Sequence, residues 1–286
     1  MSFSLALSGG GCRGAAHVGV LSALQEANLT PCAVSGSSAG AIVAGLYAYG
    51  YAPEQLIKIC SELERNGEKL IDFNIFGIAA AIGQIARRRP ITLSGLLKGE
   101  RLRSLLRQLT KGCTLSSVSL PICITSVDLS TGETIAFSQR PPIHPLSHVR
   151  WEQDVLLYEA IYASCCVPVI FTPPTAMNGV LVDGGVTDNL PVNLLLAIDA
   201  PNIIAVDISE NYAPVEGEGI FEIASHSLSV MSRKLRDCTV QGERLLIRPK
   251  LPEKAGLFTF SLMSECIAAG YTATRELTEL IHALSK

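Results

Sequence analysis

A serine between two glycines stands where a short apolar run meets an apolar helical segment. Ser38 is the central residue of a Gly-x-Ser-x-Gly pattern whose glycines are Gly36 and Gly40, and residues 41–47 predict a buried helix. In this context the pattern indicates a nucleophile elbow, a strained turn that projects a serine from a sheet edge. Small neighbours give the turn its clearance. The alternative is a glycine-rich turn that only joins a strand to a helix.

A second glycine-rich segment follows the predicted strand 3–7 and precedes a helix predicted from Ala15. Consecutive glycines can turn successive N–H groups the same way, which makes an anion-binding nest at a helix start. Beside a serine nucleophile, such a nest would serve as an oxyanion hole. A nucleotide-phosphate loop is disfavoured, since neither Gly-x-Gly-x-x-Gly nor Gly-Lys-Ser/Thr is present. The candidate residues are Gly9, Gly10, Gly11, Cys12, Arg13 and Gly14.

A carboxylate ends a predicted strand far downstream. The apolar residues 180–182 lead directly to Asp183, and Gly184 and Gly185 follow it. Asp before Gly-Gly is often only a turn former. Because the glycines allow close approach to the serine, we favour a role for Asp183 as the base.

These three segments, in this order, resemble the motifs of the patatin-like phospholipases. The sequence Ala-Ser-Cys-Cys-Val-Pro at 163–168 is similar to the Ala-Ser-x-x-x-Pro segment of that family. The resemblance extends from residue 3 to about residue 210, and no motif position departs from it. It implies an α/β fold, a three-layer sandwich with a mostly parallel central sheet flanked by helices. The predicted strand-helix-strand start of the chain favours the same parallel sheet independently.

The resemblance also implies a chemistry: hydrolysis of acyl esters in lipids by a Ser-Asp dyad without histidine, cofactor or metal. Ser38 would then be the nucleophile and Asp183 the base. Gly10, Gly11 and Cys12 would be the most favoured N–H donors of the oxyanion hole. Arg13 would close the glycine loop.

Two other functions compete with this one. An α/β-hydrolase triad requires a histidine after the acid, and only His226 and His282 follow Asp183. Both fall in predicted helices, so the triad is disfavoured. A non-catalytic lipid-binding protein on the same fold has no sequence feature in its favour.

Composition limits the number of domains, the binding partners and the cellular compartment that we expect. The chain has 286 residues, of which 48% are hydrophobic and 17% charged, so we predict a single domain over 1–286. A net charge of −3 argues against general nucleic-acid binding. No run is long enough for a transmembrane helix, and the glycine loop begins too early for a signal peptide. Nine cysteines without a Cys-x-x-Cys pair favour buried free thiols over disulfides or zinc, and a cytoplasmic protein.

One apolar segment has two interpretations. Residues 73–86 are mostly apolar, and Arg87, Arg88 and Arg89 follow them. We favour a core helix with a solvated basic end. The alternative is a lid or cap insertion around 66–95 that touches a membrane surface at the periphery.

The remaining elements follow from periodicity and turn signals. Helices are predicted at 53–63, 101–109, 155–163, 221–237 and 261–284, and strands at 121–128, 133–137, 203–207 and 244–248. Residues 139–150 predict a proline-rich loop with His144 and His148, and residues 214–219 an exposed acidic loop.

Overall fold

A computed structural model describes residues 2–176, 179–209, 219–239 and 242–284 of the chain. The expected acidic loop at 214–219 therefore lies almost wholly outside the described residues. The strands are β1 Ser4–Leu7, β2 Ala33–Gly36, β3 Ile122–Asp128, β4 Thr134–Ser138, β5 Val149–Glu152, β6 Thr175–Ala176, β7 Gly179–Asp183, β8 Ile203–Val206 and β9 Leu245–Ile247. The helices are α1 Ala15–Glu26, α2 Ala39–Tyr49, α3 Pro53–Asn66, α4 Ile75–Ala86, α5 Glu100–Thr110, α6 Leu157–Ser164, α7 Val192–Ala197, α8 Ile220–Thr239, α9 Met263–Arg275 and α10 Thr278–Leu284.

The strands form one mostly parallel sheet in the order β5-β4-β3-β2-β1-β8-β9. Strand β1 is parallel to β2 and β8, and β2 is parallel to β3. Strand β4 is antiparallel to β3. The predicted α/β fold with a mostly parallel sheet between helices is confirmed.

Alternating residues of the central strands face two different helical layers. Leu5 and Leu7 of β1 pack into the larger core, whereas Ala6 packs into a second core with Leu194 and Leu195 of α7. This alternation is what a sheet covered on both faces requires. It gives the three layers.

Strand β7 explains how distant segments meet. Gly36 of β2 pairs with Ile124 of β3, and Asp183 of β7 pairs with Ser126 two residues further along β3. Since β4 occupies the other edge of β3, strands β2 and β7 share one edge and run toward each other. Their carboxyl ends therefore face each other across Thr125.

Two predictions of secondary structure are wrong, and a third, the helix at 261–284, is interrupted between α9 and α10. Strand β5 begins at Val149, inside the segment 139–150 expected to be a loop, because its backbone pairs in parallel with β4. Helix α4 is not a core helix: of its residues only Ala81 is buried, and Phe76 is 80% exposed.

Within the described part of the chain, no helix combines the length and the hydropathy needed to cross a bilayer.

Candidate active site

The turn between β2 and α2 has the strained geometry expected of an elbow. Ser38 has φ 52° and ψ −121°, in a region that residues with a side chain rarely occupy. A Cβ on Gly36 would overlap the backbone of Gly40, and a Cβ on Gly40 would overlap the carbonyl of Leu7. The two glycines are therefore required by close backbone approach, and the turn packs directly on β1.

We expect Gly40→Ala to lower the free energy of unfolding by at least about 2 kcal/mol, because β1 and α2 must separate to admit a methyl group. Gly83→Ala is the matched control in another helix. Its nearest neighbour would be the Arg87 guanidinium at 3.8 Å, so we expect a gain of about 0.5–1 kcal/mol. Urea unfolding of both variants measures the difference. Equal effects would contradict the close packing of the elbow.

Asp183 lies at the end of β7 and is almost fully buried, with 5% of its surface exposed. Its N–H group donates to the Cys166 carbonyl (2.9 Å), and its Oδ1 accepts from the Gly185 N–H (2.7 Å). Burial raises the pKa of this carboxyl to about 6, while the Ser38 side chain and the Gly185 amide lower it in part. Among the described residues, Oδ2 has no hydrogen-bond partner of ordinary geometry.

The glycine loop lies directly against the elbow. A Cβ at Gly9 would be 3.0 Å from the Cβ of Ser38, and one at Gly14 would be 2.6 Å from the Cβ of Ala39. Gly11 has φ +61°, a conformation that favours glycine. The loop therefore needs small residues both for its own backbone and for its contact with the turn.

The loop amides differ in their partners. The Gly9 N–H donates to Asn189, and the Cys12 N–H donates to the Gly256 carbonyl (3.2 Å). No residue that the structure describes accepts a hydrogen bond from the N–H groups of Gly10 and Gly11. Of the three donors that the resemblance favoured, Cys12 thus has its amide engaged elsewhere.

Two buried side chains bind backbone carbonyls in and next to the glycine loop. The Arg13 Nε donates to the Gly10 carbonyl (3.1 Å). His17 Nε2 lies 2.8 Å from the Ser8 carbonyl and must carry the proton, since a carbonyl only accepts. Burial lowers the pKa of His17 to about 4, so its ring is neutral at physiological pH.

Asn189 connects the glycine loop to the turn that follows Asp183. Its backbone carbonyl and its Oδ1 both accept from the Gly9 N–H, at 3.1 and 3.2 Å. The same Oδ1 would lie 2.9 Å from a Cβ at Gly185. Sequence reasoning missed this residue, which lies six positions after Asp183.

The end of α6 contacts both candidate catalytic residues. Ser164 Oγ accepts from the Ser38 N–H (2.8 Å), and the Cys165 thiol donates to the Ser38 carbonyl (3.4 Å). The Cys166 carbonyl accepts from Asp183, as described above. The segment 163–168, noted only for its resemblance, thus holds the backbones of the serine and the aspartate together.

All nine cysteines are free. Burial raises the pKa of the Cys12 thiol to about 12 and raises those of Cys165 and Cys166 as well. These thiols are therefore protonated at neutral pH and do not compete with a serine as nucleophiles.

Comparison with known proteins identifies the family of the chain. The sequence model of the patatin-like phospholipases matches residues 5–196. The chain belongs to this family. The match includes the glycine loop, the elbow and the Asp183 turn.

Relatives in sequence agree with this assignment. An uncharacterised NTE-family protein of Mycobacterium bovis is 28% identical over 210 residues, which are 73% of this chain and 50% of that protein. A lysophospholipase NTE1 of Mycosarcoma maydis is 25% identical over 73% of this chain and 10% of its own length. The chain thus spans about half the length of the bacterial relative, and a tenth of the fungal one.

Two solved structures share the fold. VipD from Legionella pneumophila has a TM-score of 0.50 and 16% identity over 98% of this chain and 67% of its own. A human GIVD cytosolic phospholipase A2, solved in complex with methyl gamma-linolenyl fluorophosphonate, has a TM-score of 0.51 and 13% identity. It covers 99% of this chain and 58% of its own.

The patatin-like fold brings the predicted residues of the three motifs together where β1, β2 and β7 end. His144, His148 and His282 are exposed, and His17 contacts Ser8. Among the described residues, no histidine interacts with the Asp183 carboxyl. Nor do three His, Cys, Asp or Glu side chains of the described chain converge as metal ligands would.

Proposed function

We propose that this chain is a lipid acyl hydrolase of the phospholipase A or lysophospholipase type, acting through a Ser38–Asp183 dyad. The observation that carries the proposal is the meeting of two strand ends: β2 leads into the strained turn of Ser38, and β7 ends at the buried carboxyl of Asp183, on the two sides of Thr125. A desolvated carboxylate with a raised pKa is a better base than an exposed one. Serine needs such a base, since the free hydroxyl is a weak nucleophile.

The reaction follows from these positions. Asp183 accepts the Ser38 proton as Oγ forms a bond to the acyl carbonyl carbon. The carbonyl oxygen becomes an oxyanion, which the N–H groups of Gly10 and Gly11 stabilise. The ester C–O bond then breaks, and Asp183 returns the proton to the leaving alcohol. Water, deprotonated by Asp183, attacks the acyl-enzyme and releases the fatty acid and Ser38.

Defined lipids test the proposal. The fungal relative is named a lysophospholipase, so lysophosphatidylcholine is the first substrate, followed by phosphatidylcholine, phosphatidylethanolamine and triacylglycerol. Mass spectrometry should detect free fatty acid and the deacylated lipid in equal amounts. Absence of acyl release from every ester, with the protein folded, would instead favour a non-catalytic lipid-binding protein.

The pH dependence of kcat/KM tests the base. Because burial raises the pKa of Asp183 to about 6, activity on a soluble ester should rise with pH and level off above about 6. Asp188 is a second buried carboxyl, whose pKa burial raises to about 7. Asp188→Asn should leave the limb near 6 in place. Loss of that limb in this variant would show that Asp188, and not Asp183, titrates there.

The oxyanion loop is tested through Asn189. We expect Asn189→Ala to lower kcat about 10- to 100-fold with little change in KM, because the loop loses one of its two anchors on the Gly9 amide. Asn66→Ala, at the end of α3, is the control, since its side chain contacts Glu62 and Lys69 on the surface. A larger loss in the control variant would contradict the role of Asn189.

A further inference from the structure

Helix α4 presents an apolar face to solvent. All of its exposed residues are apolar; Phe76 is 80% and Ile82 63% exposed. Its one polar residue, Gln84, is bonded to Thr92, donating to Oγ1 (2.8 Å) and accepting from its N–H (3.0 Å). The helix is thus held by polar contacts and by Ala81, and four of its five large side chains are exposed: Ile75, Phe76, Ile82 and Ile85. Contiguous exposed apolar surface of this kind marks an interaction site.

The same segment is strongly basic. Residues 73–99 contain no Asp or Glu, but include Arg87, Arg88, Arg89 and Lys98, in a chain whose net charge is −3. The three arginines are exposed, and none forms an ion pair with another residue that the structure describes. Positive charge beside exposed apolar surface fits a partner with anionic groups over an apolar interior.

The cations lie at both ends of the apolar face. The arginines follow the last turn of α4, and Lys98 Nζ lies 5.6 Å from the ring centroid of Phe76 in the first turn. The 12 residues of the helix span about 18 Å. A helix that lies flat in a bilayer interface can place both ends among phosphates, whereas end-on insertion would put one cationic end into hydrocarbon.

The segment is attached close to the candidate active site. The Leu96 N–H donates to the Val169 carbonyl (3.1 Å), and Val169 follows Cys166 by three residues. The Cys166 carbonyl holds the Asp183 backbone. A surface that docks through residues 73–98 would therefore lie next to the loop that supports the aspartate.

We propose that α4 and Arg87–Arg89 form a docking surface for an anionic lipid bilayer. A second copy of the chain is a weaker occupant, since cations lie at both ends of α4 and a symmetric contact would set them against the cations of the other copy. The proposal goes beyond ester hydrolysis, and binding does not require turnover. It can therefore be tested in Ser38→Ala protein, where lipid products do not accumulate.

Vesicle flotation tests the docking surface. Ser38→Ala protein is mixed with phosphatidylcholine vesicles, with or without phosphatidylserine, and variants are added to this background. We expect binding only with phosphatidylserine, weakened by salt. Replacing Arg87, Arg88 and Arg89 by glutamine should weaken partitioning about 100-fold, because each basic residue contributes about fivefold at an anionic surface. Phe76→Ser with Ile82→Ser should weaken it at least about tenfold.

Matched controls lie elsewhere on the surface. Lys58, Lys111 and Lys254 are exposed cations, and Leu129 and Ile143 are exposed apolar residues, so K58Q/K111Q/K254Q and L129S/I143S should bind as the background does. All of these changes, made with Ser38 intact, should leave hydrolysis of a soluble ester unchanged. Failure of that hydrolysis in the parent would overturn the proposed function alone.

Three outcomes would overturn the docking surface. The first is no binding of the background protein to anionic vesicles. The second is equal loss in the control variants. The third is a dimer in solution that F76S/I82S converts to a monomer, which would make α4 a subunit interface.

Discussion

Ser38→Ala is expected to lower kcat for ester hydrolysis by at least about 10⁴-fold, since it removes the proposed nucleophile. The adjacent Ser37 is the matched control. It is fully buried, and its Oγ has no hydrogen-bond partner among the described residues. Ser37→Ala removes an unsatisfied hydroxyl, so both activity and stability should stay close to those of the parent.

Initial rates of a chromogenic ester, measured with both purified variants, separate the two serines. The circular dichroism spectrum of each variant reports whether the fold is intact. Retention of turnover in Ser38→Ala, or its collapse in Ser37→Ala, would be incompatible with the proposed nucleophile.

Asp183→Asn is expected to produce two opposite effects. Hydrolysis should fall about 10²- to 10⁴-fold, because the amide cannot accept the serine proton. Stability at neutral pH should rise by roughly 1–3 kcal/mol, since the variant no longer buries a charge. An inactive but stabilised variant is typical of a residue kept for catalysis at a cost in stability.

The sign of the pH effect on stability follows from the shifted pKa. The Asp183 pKa is raised from its ordinary 3.8 to about 6 in the folded state, so the native protein binds more protons than the unfolded chain between these values. Its contribution to the free energy of unfolding therefore falls as the pH rises through this window. The advantage of Asp183→Asn should be absent below about pH 4, grow up to about pH 6 and then stay constant.

Asp188→Asn is the control for this experiment. Asp188 is also buried, and burial raises the pKa of its carboxyl to about 7. Its replacement should stabilise the protein in a similar pH window, while hydrolysis continues. Equal losses of activity in both variants would show that burial of a carboxylate, rather than its position beside Ser38, sets the rate.

The motifs that the sequence analysis singled out are local. Gly36 and Gly40 are required by contacts within one turn and its strand, and Gly11 by its own backbone conformation. Parallel pairing of β1 with β2 follows from the short crossover through α1. Such features are determined over a few residues and are visible in the pattern.

The features that were missed depend on long-range contacts. That β7 runs against β3 and meets β2 head-on is set by pairing between residues some 60 positions apart, as Asp183 with Ser126. The engagement of the Cys12 amide depends on Gly256, and the anchoring of Gly9 on Asn189. Neither partner has a local signature that predicts its contact.

Helix α4 shows that a local pattern can also mislead. Its apolar composition favoured burial, because most apolar helices of globular proteins lie in the core. In the structure α4 is exposed. The segment 73–98 that contains it is held by hydrogen bonds between its own two ends, such as that from the Asn74 N–H to the Leu96 carbonyl (2.7 Å). Hydropathy alone does not distinguish a buried helix from an exposed one.

Covalent labelling measures the central claim most directly. A fluorophosphonate reacts with an activated serine, and peptide mass spectrometry identifies the modified residue. We expect one phosphonyl group on Ser38 in the parent, and labelling that is greatly slowed in Asp183→Asn. A parent that stays unlabelled, or that carries the label on a different serine such as Ser37 or Ser164, would contradict the dyad.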